Sequence, residues 1–347
     1  MKTISAILAL AGVATLLPVN AQSAAPLRMK AKVCSSAVAG GRPVDLLILS
    51  VHGNTVQVAQ NATSQEIHSV PLNSCKVLYI YETPDLVEAL SLVDDRKYQD
   101  ARAKLSAVAK KYAATLDAPD SPSARAYIAE LECAVCMMDW KEVRTLANSF
   151  PVKKKNLTPK LQNDLEIAKM LGLIAEKKFD EIKTMAASMK ALPKLTPIQQ
   201  ARIKYALGAC AMMSGEWNGA LDNLAECFVL LHGSNPDMGS AVLQRMLDCY
   251  LQMKDVTEFS KDPVVSAVID TYKVKADTLL ADNYMAKRPL NVREGAAVFA
   301  LHKSYYPAVT LPEKYAVFAI SYKAPEPPKE EKAAAEAPAQ PQSAPAK

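Results

Sequence analysis

Glycine is scarce, with 11 residues in 347, and so are tryptophan and histidine, with 2 and 4. The shortage of glycine excludes collagen-like and glycine-rich low-complexity chains. No Gly-x-x-x-x-Gly-Lys and no Gly-x-Gly-x-x-Gly occurs, so neither phosphate-cradling loop is available. His-Glu-x-x-His and Gly-x-Ser-x-Gly are also missing. Charge of one sign is not in large excess: 41 Lys and Arg face 36 Asp and Glu, a net +5. That balance makes no phosphate-binding face by itself, so nucleic acid is not an expected partner. After residue 25 no stretch reaches the roughly 18 apolar residues that a membrane span needs. What remains is a chain 50% hydrophobic and 22% charged, rich in Ala, Leu, Lys and Met. It is too apolar to be disordered throughout and favours helix.

The two ends differ from the rest. Lys2, the apolar run Ile4–Leu17 and the small residues of Val19-Asn20-Ala21 have the order of a secretory signal over residues 1–21. Cleavage there or after Ser23-Ala24-Ala25 would start the mature chain at Gln22 or Pro26. Residues 323–347 form an Ala/Pro-rich tail with no aromatic or branched aliphatic side chain, a composition expected to stay disordered.

Residues 31–82 have period-two or short apolar runs rich in Val, Ile and Leu. Strands are predicted near Lys32–Val38, at Val44–Val51, Thr55–Ala59, Glu66–Val70 and Lys76–Tyr81. His52-Gly53-Asn54 is turn chemistry, so Leu46–Ala59 reads as a hairpin. The expectation is a small antiparallel β module, as a sheet or an open barrel. Cys34 and Cys75 fall in its first and last strands, and an oxidising compartment would allow them to pair. Seven Cys cannot all pair within one chain. His52 and His68 have no third ligand spaced near them, so no metal is expected.

The centre repeats. Thr83-Pro84, Ser121-Pro122, Thr158-Pro159, Thr196-Pro197 and Asn235-Pro236 recur with proline intervals of 38, 37, 38 and 39. A side-chain oxygen accepts from free helix N–H groups, and proline suits the first helical position because its missing N–H would go unpaired anyway. Each pair therefore starts a helix, and Asp262-Pro263 offers another start. Tyr98, Trp140, Phe179 and Trp217 each follow a short polar break and mark a second helix. Val256 holds that place in a fifth copy. Seven residues before each marker stands a small side chain: Ser91, Cys133, Gly172, Cys210 and Cys249. Such a column implies close helix packing and gives Cys133, Cys210 and Cys249 a structural role.

The fourth copy carries a family resemblance. Leu207-Gly208, Cys210 in an Ala place, Gly215, Trp217, Ala220, Leu224 and Cys227 in an Ala place resemble the tetratricopeptide repeat in order and spacing. The resemblance covers residues 83–260. It implies an α-solenoid of about five helix-turn-helix copies, with residues 261–322 as a C-terminal helical cap. Helices are predicted there at Val264–Lys287 and Val292–Tyr305. The whole resembles exported bacterial proteins in which a compact β module precedes helical repeats.

The resemblance further implies an inner surface made by the first helix of each copy, where peptides or proteins bind. Its places here are Arg125, Ile128 and Glu132; Asp164, Ile167 and Leu171; Arg202 and Tyr205; and Gln244 and Asp248. The Lys and Asn of the family's two-carboxylate clamp do not occur at these places. Arg125, Arg202, Tyr205, Gln244 and Asp248 are the candidate partner-binding residues. Cys133-Ala-Val-Cys136 is the one redox-like motif, but Ser121-Pro122 starts that helix three turns earlier, so no helix N-terminus lowers a thiol pKa. Lys153-Lys154-Lys155 reads as a solvated run between copies.

The expected function is a non-catalytic adaptor in the periplasm or cell envelope of a Gram-negative bacterium. It would need no cofactor and would bind a protein or peptide of an envelope assembly or secretion complex. The alternatives are a cell-wall or polysaccharide-binding protein using the β module, and an enzyme with an unrecognised site.

Overall fold

Helix boundaries in the computed structural model fall on the recurring sequence markers. The structure describes residues 28–189, 195–231 and 233–322, so the predicted secretory signal, His232 and the Ala/Pro-rich tail lie outside the described residues. Six helices begin at a proline: α1 (Pro84–Asp94), α3 (Pro122–Cys136), α5 (Pro159–Gly172), α7 (Pro197–Met213), α9 (Pro236–Leu251) and α11 (Pro263–Val274). Four begin at the aromatic marker: α2 (Tyr98–Lys111), α4 (Trp140–Asn148), α6 (Phe179–Met189) and α8 (Trp217–Leu231). The fifth marker departs from this pattern: α10 (Lys254–Ser260) starts two residues before Val256.

Five of the six proline starts are capped by the preceding side chain as their sequence implies; Thr83, before α1, makes no such bond. Ser121 Oγ accepts from the amide of Ala124 at 3.2 Å and Asn235 Oδ1 from that of Met238 at 3.0 Å. Thr196 forms a reciprocal box with Gln199, and Asp262 accepts from Val264 and Val265. Each such cap contributes about 1 kcal/mol.

The turns share one backbone device. Two residues before each aromatic marker the chain enters the left-handed region: Arg96 (φ 61°), Met138 (φ 54°), Lys177 (φ 56°) and Gly215 (φ 74°). The same pair of hydrogen bonds closes every turn. Asp139 N donates to Ala134 O at 3.1 Å and Met138 N to Val135 O at 3.0 Å; Glu216 N donates to Ala211 O at 2.9 Å and Gly215 N to Met212 O at 3.1 Å. This arrangement satisfies the last carbonyls of the first helix. Only the fourth copy supplies the glycine that the conformation favours.

Five strands form an open sheet: β1 (Met29–Ser35), β2 (Val44–His52), β3 (Thr55–Ala59), β4 (Ile67–Pro71) and β5 (Cys75–Ile80). All pairings are antiparallel, in the order β4-β3-β2-β1-β5. The predicted hairpin turns at Gly53, with φ 60°. Alternation puts Ala31, Val33, Ile48, Val56, Val58 and Val70 on one fully buried face. The last helices are α12 (Asp282–Ala286), α13 (Leu290–Tyr305) and α14 (Ala316–Ala319). The single helix predicted over Val264–Lys287 is therefore broken. After Val274 the chain turns extended at Lys275, and Leu280 N donates to Ile320 O at 3.0 Å.

The chain divides into two compact units. The first holds the described residues up to Cys133 together with Ser149–Gln162, and the second holds Ala134–Asn148 and the described residues from Asn163 onward. In the first unit the buried sheet face and the apolar faces of α1 and α2 share one core, including Leu86, Ala89, Leu105 and Val108. The sheet is therefore not a separate module ending at residue 82. In the second unit Val265, Leu280, Met285 and Ile320 form a satellite cluster under the terminal helices.

The small-residue column is buried at Cys133, Gly172, Cys210 and Cys249. A Cβ on Gly172 would lie 2.8 Å from the Cα of Arg144, inside van der Waals contact. Ser91 is the exception: it is exposed, and its hydroxyl donates to Glu88 O at 2.9 Å. Its helix, α1, buries Leu86 and Ala89 instead.

Two opposite effects are expected on the melting temperature. Met138→Gly or Lys177→Gly should stabilise the chain by up to about 1 kcal/mol, by relieving left-handed strain. Gly172→Ala should destabilise it by about 1–3 kcal/mol through overpacking against α4. Thermal denaturation of the three variants checks both signs.

Candidate functional site

The residues expected on the inner surface separate into three groups. Arg202 and Tyr205 of α7 are buried, at 5% and 3% exposure. Tyr205 stacks on Trp140 at 5.3 Å between ring centroids, within the second unit. Neither side chain is available to a partner, which corrects the sequence expectation. The cause is that α7 buries most of its circumference, Gln199, Ala201, Arg202, Ile203 and Cys210 among the buried residues. Asp164 is likewise engaged, accepting from Gln199 Nε2 at 2.8 Å, while Ile167 and Leu171 are core.

Gln244 and Asp248 of α9 are covered from within. Tyr315, at 1% exposure, donates its hydroxyl to Gln244 O at 3.1 Å and to Asp248 Oδ1 at 2.9 Å. Lys314 pairs with the same carboxylate. Phe318 packs edge-on against Tyr250, and Gly295 leaves room for its ring. Burial and the Asp248 carboxylate push the Tyr315 hydroxyl pKa up, so it stays a donor. The C-terminal segment thus occupies the places assigned to a partner in the fifth copy.

Arg125 has a different setting. With Ile128, Ala129 and Glu132 it faces a groove of about 570 Å³ in the first unit. The opposite wall is β5, through Leu78, Tyr79 and Ile80, and the floor includes Leu90 and Val93 of α1. Leu161 and Asp120 close the ends. Arg125 donates to Glu82 at 2.6 Å, which fixes its guanidinium beside the groove. The lining is predominantly apolar, with one guanidinium and two carboxylates. Sequence reasoning placed the α3 residues on a binding surface but missed the β5 wall, because nothing local says which strand ends at a sheet edge.

The bridge expected between Cys34 and Cys75 is not formed. Their strands are neighbours, but a register shift puts Cys34 opposite Val77 and Cys75 opposite Ser35. Both thiols are free; Cys34 Sγ donates to Gly41 O at 3.1 Å, and burial followed by the nearby Cys34 raises the Cys75 pKa. Cys133, Cys210 and Cys249 are free and buried, as the packing column implies. Burial pushes the Cys133 thiol up to about 12 and Cys210 up to about 11. A thiol so protonated is a poor redox nucleophile.

One buried polar pair has the look of a catalytic dyad. Ser240 Oγ lies 2.9 Å from His302 Nε2. His302 is completely buried, its Nδ1 finds no partner among the described residues, and the Tyr306 ring stands 5.4 Å away. Both side chains are buried, and among the described residues no carboxylate bonds the imidazole. Burial, then Lys303, lowers the His302 pKa. No group of three or more potential metal ligands occurs among the described residues. No helix among them is long and apolar enough to cross a membrane. Lys153 of the lysine run pairs with Asp117 and holds that carboxyl below its usual range. Compared with protein families, curated proteins and solved structures, the chain matches none of them.

Two measurements check these placements. Tyr205→Ala should cost about 3–5 kcal/mol of stability, as for other large buried aromatics, whereas an exposed tyrosine would barely move the melting temperature. For His302 the folded pKa lies below the unfolded value of about 6.5. The unfolded chain therefore binds the extra proton first. The contribution is complete above that pH and is lost as pH falls below it, with a slope of at most about 1.4 kcal/mol per pH unit. Denaturant titrations between pH 7.5 and 5.5 should show His302→Gln flatter than wild type.

Proposed function

We propose that this protein is an exported, tetratricopeptide-like adaptor that binds a protein or peptide partner through the groove between α3, α1 and β5 and performs no catalysis. The observation that carries the reading is that groove. It is apolar and open, and three of its lining residues were assigned to a binding surface from repeat register alone. Grooves with apolar walls and a few fixed polar groups suit recognition of a chain segment. The repeat reading is supported by the same proline start, aromatic start and left-handed turn recurring through successive helix pairs. Export is supported by Lys2, the Ile4–Leu17 run and Val19-Asn20-Ala21, and the periplasm or envelope of a Gram-negative bacterium is the location we favour. Envelope assembly or secretion machinery is the partner class we favour.

Crosslinking in intact cells followed by mass spectrometry tests the proposal. Wild type should enrich a defined polypeptide that is lost, about tenfold or more, in Ile128→Glu. The exposed change Val229→Glu should keep it. Retention of that partner by a folded Ile128→Glu protein would contradict the groove reading, and turnover of a small substrate would contradict the non-catalytic one.

A further inference from the structure

The wall of the groove is a sheet edge. Among the described residues β5 pairs with β1 alone. Tyr81 N donates to Lys30 O at 3.0 Å, and the register runs from there through Lys32 opposite Tyr79 and Cys34 opposite Val77. In an antiparallel ladder the hydrogen-bonding groups alternate sides. Those of Tyr81, Tyr79 and Val77 face β1, so those of Leu78 and Ile80 point away from the sheet. An edge of this kind templates a further strand. The other edge, β4, ends at Pro71, which has no N–H to offer.

Both side-chain rows of an added strand would find apolar surface. One row would enter the groove over Leu90, Val93 and Ile128. The other would lie beside Val77 and Tyr79 on the outer sheet face, which are 44% and 55% exposed. Charge selects further. The lining holds the exposed Asp120, and its one guanidinium, Arg125, is already paired with Glu82. A cation on the incoming chain complements this set.

We propose that the groove takes an extended peptide as a sixth strand on β5, with aliphatic side chains turned inward and a lysine or arginine reaching Asp120. This rests on the adaptor reading and names the form and chemistry of its ligand. Main-chain bonds to Leu78 and Ile80 would supply affinity, and the groove would supply selectivity.

The test uses the full chain and a blocked heptapeptide, Lys-Ser-Val-Thr-Val-Ser-Lys, with two copies N-methylated on alternate residues in opposite registers. Strand addition predicts that one methylation register weakens binding at least tenfold and the other leaves it unchanged. Hydrogen exchange at the Leu78 and Ile80 amides should slow by about tenfold or more on saturation. Asp120→Asn should weaken binding of the lysine peptide several-fold and leave its serine-for-lysine counterpart unaffected. Equal binding of both methylated peptides, or no protection at Leu78 and Ile80, overturns strand addition. Protection that appears without peptide and grows with protein concentration also overturns it, because the edge then pairs with a second copy. The adaptor reading survives these results if Ile128→Glu still abolishes partner crosslinking; loss of that dependence sinks both.

Discussion

Every helix leaves backbone N–H and C=O groups unpaired at its ends, and the architecture of this chain depends on how it pairs them. Proline after a capping residue removes one donor and satisfies another. A left-handed residue two places before the aromatic pairs the carbonyls at the opposite end. The turn recurs from Arg96 to Gly215 and the side-chain cap from Ser121 onward, and together they fix where each helix starts and how sharply it turns. The apolar faces then meet because the turns have one geometry. Where the solution fails, the fold changes character. Beyond Val274 no such turn occurs, and the chain crosses to Ile320 instead of continuing as a regular helix pair.

The same packing decides what remains exposed for binding. In the second unit α7 buries Arg202 and Tyr205, and Tyr315 and Lys314 fill the positions of α9 that a ligand would use. In the first unit the sheet shares its core with α1 and α2, and among the described residues β5 pairs on one side alone. The groove exists because that edge and the apolar residues of α1 and α3 are held apart on one core. Arg125, Ile128 and Glu132 line it, whereas their counterparts on α5, α7 and α9 are buried or engaged within the second unit.

Much of this was legible in the residues. The proline and aromatic markers located ten helix starts, and β-branched alternation located all five strands, Thr55–Ala59 to the residue. These signals are local, carried by capping chemistry and side-chain period. The exposure of Ser91, the burial of Arg202 and Tyr205 and the staggering of Cys34 against Cys75 were not legible. Each depends on which element packs on which, or on a one-residue register shift, and no short-range pattern encodes either. Arg202 in particular carries a charge that suggests solvent, and only the packing around α7 shows it enclosed. The left-handed turns were half legible: Gly215 announces one, whereas Arg96, Met138 and Lys177 adopt the same conformation against their own preference.

The central claim is that the groove beside β5 is the working surface of the protein. A photo-crosslinking amino acid placed at Ile128 and, separately, at exposed Val229 tests it directly in living cells. The account predicts a discrete polypeptide adduct from position 128 and none from position 229. Adducts from position 229 with none from position 128 would contradict it.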